Sequence, residues 1–166
     1  MLWKKLSGIS IPDLENDPYM FAKDMLSGPA RDVEKYGLGE LKPLIGWLED
    51  NMKPSEEVVL VHGDYHHSNV IVRPDHSMVV IDWSNIGLSD FRIDLGFTTT
   101  MEILMSGGGS VQGVVDVYEQ ISGRKVKEIE YFMILSNLYN IMRMYSAAVN
   151  YEITGISLDT LIEAIK

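Results

Sequence analysis

Asp64, Asn69 and Asp82 are the residues of this chain whose types and spacing could do chemistry together. The first two lie in Val61-His-Gly-Asp-Tyr-His-His-Ser-Asn-Val-Ile-Val72, and the third in Val80-Ile-Asp-Trp83. Two apolar runs, Asn69–Arg73 and Met78–Asp82, flank the turn residues Pro74-Asp75-His76-Ser77 and predict an antiparallel hairpin. A four-residue turn over 74–77 would set Asn69 directly opposite Asp82 at the open end. Cross-strand partners hold their Cβ atoms about 4.5–5.5 Å apart, close enough for two oxygens to share one cation. Asp64, five residues before Asn69, lies in the loop that enters the same end. Two carboxylates and an amide oxygen form a hard-oxygen set suited to Mg²⁺ that keeps waters and phosphate ligands. Phosphoryl transfer needs such parts: a metal to neutralise phosphate charge, and an aspartate to orient a hydroxyl and accept its proton. For any one of these residues, a solvated loop beside an ordinary hairpin would be explanation enough. The combination, at fixed spacing in a strand context, favours the site.

The elements that must position these residues read as mainly helical. Asp17-Pro18 looks like an N-cap and first helical residue, opening a helix through Leu26. Pro29 is expected to restart a helix that Gly37 ends. Leu41, Leu44, Ile45 and Leu48 follow the spacing of an amphipathic helix. Val58-Val-Leu-Val61 is a short β-branched run and predicts a buried strand. After Trp83 a polar loop is expected, followed by helices near 92–105, 109–121, 126–150 and 157–165. Breaks fall at Gly107-Gly108-Gly109, Gly123 and Gly155, and Leu135, Leu138, Met142 and Tyr145 form a core-facing stripe. Nothing divides the chain, so residues 1–166 are expected to be a single α+β domain.

His-Gly-Asp-x-His-x-x-Asn followed by a hydrophobic hairpin ending Ile-Asp-Trp resembles the aminoglycoside phosphotransferase and choline kinase superfamily. More remotely, it is similar to the catalytic and metal-binding loops of protein kinases. The resemblance implies that Asp64 is the catalytic base and that Asn69 and Asp82 hold Mg²⁺ and, through it, ATP. Gly87-Leu-Ser-Asp90 and Ile93-Asp94-Leu95 resemble the family's Gly-Asp-Pro and Tyr-Asp-Leu elements. On that resemblance Asp94 braces the catalytic loop from the start of a helix, and His62 is a packed histidine bonded to backbone beside it. Tyr65, His67 and Ser68 stand where Leu, Pro and Gly are commoner, and Phe91 stands for the proline.

Kinases of this kind carry a glycine-rich phosphate loop and a strand-borne lysine ahead of the catalytic loop. The 57 residues before Val58 read as helices without either. Gly107-Gly108-Gly109 follows a helix and reads as an inter-helix connection. The expected architecture is therefore a kinase-like C-terminal lobe alone, its small hairpin carrying the metal-binding residues, with the N-terminal nucleotide lobe absent. The expected activity is ATP- and Mg²⁺-dependent phosphorylation of a small-molecule hydroxyl, weak or missing in this chain alone. The alternative is a non-catalytic truncated lobe serving as a binding or dimerisation module. A homodimer is expected, with Leu2, Trp3, Leu6 and Ile9 of the segment Met1–Ile11 contributing. A rival metal reading takes His62, Asp64, His66 and His67 as Zn²⁺ or two-metal ligands, with only His76 left to supply a further histidine.

The bulk numbers bound the partners. Hydrophobic residues make up 46% and charged residues 23%, an ordinary globular composition. The net charge of −10, from 24 acids against 14 bases, argues against nucleic acid, whose binders present a basic face. The spread of the acids reads first as a solvated surface and second as a field favouring a cationic substrate. No apolar run is long enough to span a bilayer and no signal peptide is apparent. The absence of cysteine fits a reducing compartment, so a cytoplasmic location is expected.

Overall fold

The computed structural model describes residues 17–106 and 109–152. Five helices and four short strands appear there: α1 (Met20–Lys35), α2 (Lys42–Asp50), β1 (Val58–Val61), β2 (Val70–Val72), β3 (Met78–Val80), β4 (Gly87–Asp90), α3 (Arg92–Ser106), α4 (Val111–Ser122) and α5 (Ile129–Glu152). The protein is thus mainly helical with two small antiparallel sheets, β1–β4 and β2–β3. The segment Met1–Ile11 and the helix expected over 157–165 lie outside the described residues. None of the described helices is long and apolar enough to cross a membrane.

Asp17 organises the entry to α1 without being its cap. One carboxylate oxygen accepts from the Tyr19 amide at 3.0 Å and the other from Lys23 Nζ at 2.6 Å. The helix begins at Met20, two residues after Pro18, because this turn must close first. Contrary to expectation, Pro29 does not restart a helix but sits inside α1. Ala22, Leu26, Pro29 and Val33 form one buried stripe, so apolar burial offsets the hydrogen bond that Pro29 cannot donate to Met25. Gly37, at φ +68°, ends the segment as expected. The Leu38 amide bonds Val33 O and the Gly37 amide bonds Glu34 O, the pairing of a Schellman turn.

α2 buries Ile45 and Leu48 as its periodicity predicts. These join Leu26, Val33, Phe132, Leu135, Leu138 and Met142 in a core between α1, α2 and α5, with Tyr145 packed at its edge. A second cluster, Phe91, Leu95, Val115 and Ile129, joins α3 to α4. Residues 87–90, expected to be part of a polar loop, form β4 instead and pair with β1 from Val58↔Asp90 to Val61↔Gly87.

α3 and α5 approach each other closely at Gly96. A Cβ placed there would lie 2.8 Å from both Met133 N and Phe132 C, backbone atoms that cannot rotate aside. Alanine normally stabilises a helix interior over glycine by about 1 kcal/mol. Here the clash decides the sign, and forced overpacking typically costs about 1–3 kcal/mol. Gly96→Ala is therefore expected to lower the urea midpoint. A raised midpoint would show that the helices can part without loss.

Candidate active site

The loop after β1 is fastened to the start of α3. The Asp94 carboxylate accepts from the His62 amide at 2.6 Å and from the Gly63 amide at 2.8 Å. Burial raises the Asp94 pKa, and the two amide donors oppose that rise. Gly63 adopts φ +79°, and a Cβ there would meet Asn85 O at 2.5 Å. Only glycine fits both the dihedral and the gap. The His62 ring is 3% exposed and lies 4.6 Å from the Trp83 ring. Its Nε2 is 2.8 Å from Ile81 O; a carbonyl can only accept, so Nε2 carries the proton. This bond ties the loop to the strand that leads into Asp82.

Asp94→Ala would strand the His62 and Gly63 amides without acceptors. A buried unsatisfied donor costs about 1–3 kcal/mol, so a loss of about 2–6 kcal/mol is expected for the two. Asp94→Asn keeps one acceptor oxygen and should lose less. Denaturation midpoints, together with exchange rates of these two amides, check the ordering.

The loop brings Asp64 and Asn69 together. Asn69 Nδ2 donates to the Asp64 carbonyl at 2.9 Å and lies 3.4 Å from its carboxylate. His66 Nε2 is 3.3 Å from Asn69 Nδ2 and 3.6 Å from Asp64 Oδ1. A short 3₁₀ turn, His67–Asn69, sets this geometry immediately before β2. The three loop histidines diverge: His62 turns to Ile81, His66 to Asn69, and His67 to Glu102 at 3.7 Å. Among the described residues, no three His, Cys, Asp or Glu side chains gather to hold a metal.

The hairpin register differs from expectation by one residue. The pairs are Val70↔Val80, Ile71↔Val79 and Val72↔Met78, and the Ile81 amide bonds Asn69 O at 2.9 Å. Asn69 therefore faces Ile81 rather than Asp82. The cause is the turn. Arg73 N bonds Ser77 O, which leaves a three-residue loop, Pro74–His76, with His76 in the left-handed region at φ 63°. Asp75 Oδ1 secures it by accepting from the amide and hydroxyl of Ser77.

Asp82 itself steps out of the strand, at φ 58° and ψ 62°, to start the turn Trp83–Asn85. Its Oδ1 accepts from Ser84 Oγ at 2.7 Å. The Ser84 hydroxyl, then the Ser84 amide, hold its pKa below the ordinary value, with smaller contributions from the charges of His62 and His66. The bonded partner of Asp82 is therefore Ser84 and not Asn69.

Sequence reasoning missed three parts of this neighbourhood. Asp90 and Arg92, each 1% exposed, form a buried ion pair at the junction of β4 and α3. The signal was available: an Asp-x-Arg spacing directly before a helix. Arg143 on α5 donates to Asn85 Oδ1 at 2.5 Å across 58 residues of sequence, which no local pattern marks. A cavity of about 600 Å³ opens beside Asp64 and His66, between α3 and α5.

The model of the phosphotransferase enzyme family matches residues 3–113, well over half of the chain, and the protein belongs to that family. The match spans the loop, the hairpin and the whole of α3. No curated protein and no solved structure matches the chain.

Proposed function

We propose that the chain is a kinase-like catalytic lobe that transfers the γ-phosphoryl group of ATP to the hydroxyl of a small molecule, with Mg²⁺ as cofactor. The observation that carries this reading is the Asp64–Asn69 pair, locked by one loop bond, with Asp64 lining a cavity. In the reaction the acceptor oxygen forms a bond to the γ-phosphorus as the bond from that phosphorus to the β–γ bridging oxygen breaks. The hydroxyl proton passes to Asp64, and ADP leaves with the electron pair. Bound Mg²⁺ supplies charge neutralisation on the phosphates.

The donor set fits that ion. Mg²⁺ needs no cage of protein ligands, since it binds through one or two carboxylates together with phosphates and water. Asn69 directs its nitrogen to the Asp64 carbonyl, which leaves its amide oxygen for a cation. Asp82 keeps Oδ2 available while Ser84 occupies Oδ1. His62 and Asp94 position the loop, and neither is asked to touch substrate. The test is transfer of ³²P from γ-labelled ATP to a panel of alcohols, lost on adding EDTA. Absence of transfer to every alcohol, with a nucleotide lobe of the same family supplied in trans, would sink the reading.

One observation favours the second reading, a lobe acting through association. The hairpin exposes Ile71 by 50%, Val72 by 63% and Met78 by 71%. Val72 and Met78 are cross-strand partners on one face of the ribbon, with Ile71 on the other, and exposed apolar surface of this kind marks an interaction site. A second copy joined by a twofold axis would bury it. Light scattering is expected to give a dimer that Val72→Lys with Met78→Lys converts to monomer; a monomeric parent chain overturns this.

A further inference from the structure

We propose that the cavity beside Asp64 takes a neutral alcohol carried on an apolar body, not a polycationic one. The assignment rests on the phosphotransfer reading of Asp64 and adds the class of acceptor. The cavity walls come chiefly from Phe97 and Met101 on α3 and from Ile141 and Met144 on α5. Its charged lining residues, among those described, are Asp64 and Arg143, with His66 beside them. One acid is offset by one base, although the whole chain carries −10. The acidic excess of the chain therefore lies elsewhere.

A substrate with several ammonium groups would find one carboxylate, itself needed for the hydroxyl proton. Its remaining charges would have to be desolvated against methionine and isoleucine, which is costly without paired carboxylates. The Arg143 guanidinium, held by Asn85 Oδ1 and lying 5.7 Å from the Tyr139 ring centre, adds repulsion. The polar features that remain suit a neutral molecule. Asn137 spends its amide hydrogens on Thr100 Oγ1 at 2.8 Å and Met133 O at 2.6 Å, so the oxygen is what it offers to an incoming hydroxyl. Asn140 supplies a second amide to the lining. Apolar walls with a few convergent polar groups are the common build of a small-molecule site. The two methionines would let the walls adapt to different apolar shapes.

The experiment is methyl NMR of the full chain labelled at methionine, titrated with decahydronaphthol as the neutral apolar alcohol and with kanamycin as the polyamino sugar. Decahydronaphthol is expected to shift the Met101 and Met144 methyl signals and to bind at least tenfold more tightly than kanamycin. Met144→Glu, a change at a residue 63% exposed, is expected to narrow or reverse that preference. Ile141→Glu, at a residue 59% exposed, serves as the second variant should the first fail to fold. Tighter kanamycin binding, or no shift at Met101 and Met144, overturns the proposal. Parallel ³¹P spectra with Mg-ATP, recorded with a nucleotide lobe of the same family supplied in trans, separate the two readings. Alcohol bound at the methionines but never phosphorylated defeats the phosphotransfer reading alone. Preferential phosphorylation of kanamycin defeats the cavity assignment alone.

Discussion

Asp64→Ala is expected to reduce turnover by about 10²–10⁴-fold, the usual contribution of a positioned general base, in any assembly of this chain that transfers phosphate. Mg-ATP binding should change far less, because the proposed task of Asp64 is the acceptor proton and not the metal. The structure makes this a clean experiment. The bond that shapes the loop runs from Asn69 Nδ2 to the Asp64 backbone carbonyl, which alanine retains. The lost carboxylate is 30% exposed and makes only longer contacts, at 3.4 Å to Asn69 and 3.6 Å to His66. The melting temperature should therefore hold while kcat collapses. Asn69→Ala should behave differently, losing the loop bond, the proposed metal oxygen and stability together. An Asp64→Ala enzyme with near-normal kcat would remove this residue from the chemistry.

The largest effect on stability is expected at Arg92. Its guanidinium makes bonds of 2.9 Å to both oxygens of Asp90, 2.8 Å to Pro54 O and 3.1 Å to Lys127 O. It also lies 4.0 Å from the Phe132 ring centre. One side chain thus joins the segment before β1, the end of β4 and the entry to α5. Arg92→Met would leave the Asp90 carboxylate buried with only the Glu56 and Arg92 amides as donors. Removing one partner of a buried pair costs about 3–5 kcal/mol, a large share of the roughly 5–15 kcal/mol that holds a domain together. A melting temperature about 10 °C lower follows for a chain of this size. The double variant Asp90→Asn with Arg92→Met should recover part of the loss, since the residual charge is then gone. Equal losses in single and double variants would place the cost in the carbonyls of Pro54 and Lys127 instead.

How far the sequence could be read depended on the range of the interaction involved. α2 and the stripe of α5 were legible because each is fixed by its own apolar period, and α3 and α4 were legible from the glycine breaks expected at their ends. β1 was legible from its β-branched composition. β4 was not: Gly87-Leu-Ser-Asp90 has no strand pattern, and it is extended because β1 offers an edge and Arg92 anchors its end. The break expected at Pro29 weighed a local penalty without the burial that outweighs it. The hairpin was read correctly in kind and wrongly in register, because Ser77 pairs with Arg73 instead of joining the turn. Of the candidate residues, Asp64 and Asn69 share one loop, where spacing is informative. The setting of Asp82 depends on a left-handed dihedral that composition does not announce.

The ribbon formed by β2 and β3 pairs only with itself among the described strands. Two strands of three residues have little independent stability. Its tether to the rest lies at one end, through Asn69 and the His62–Ile81 bond. Asp64 thus stands on ground pinned to α3, while Asp82 stands at the root of a flap. Amide protons of Ile71 and Val79 should exchange with solvent well before those of Leu135 or Leu138, which are buried in the main core. A ligand spanning Asn69 and Asp82 would then announce itself as slowed exchange along the flap, with the core unchanged, because its own binding completes the half of the site that the fold leaves loose.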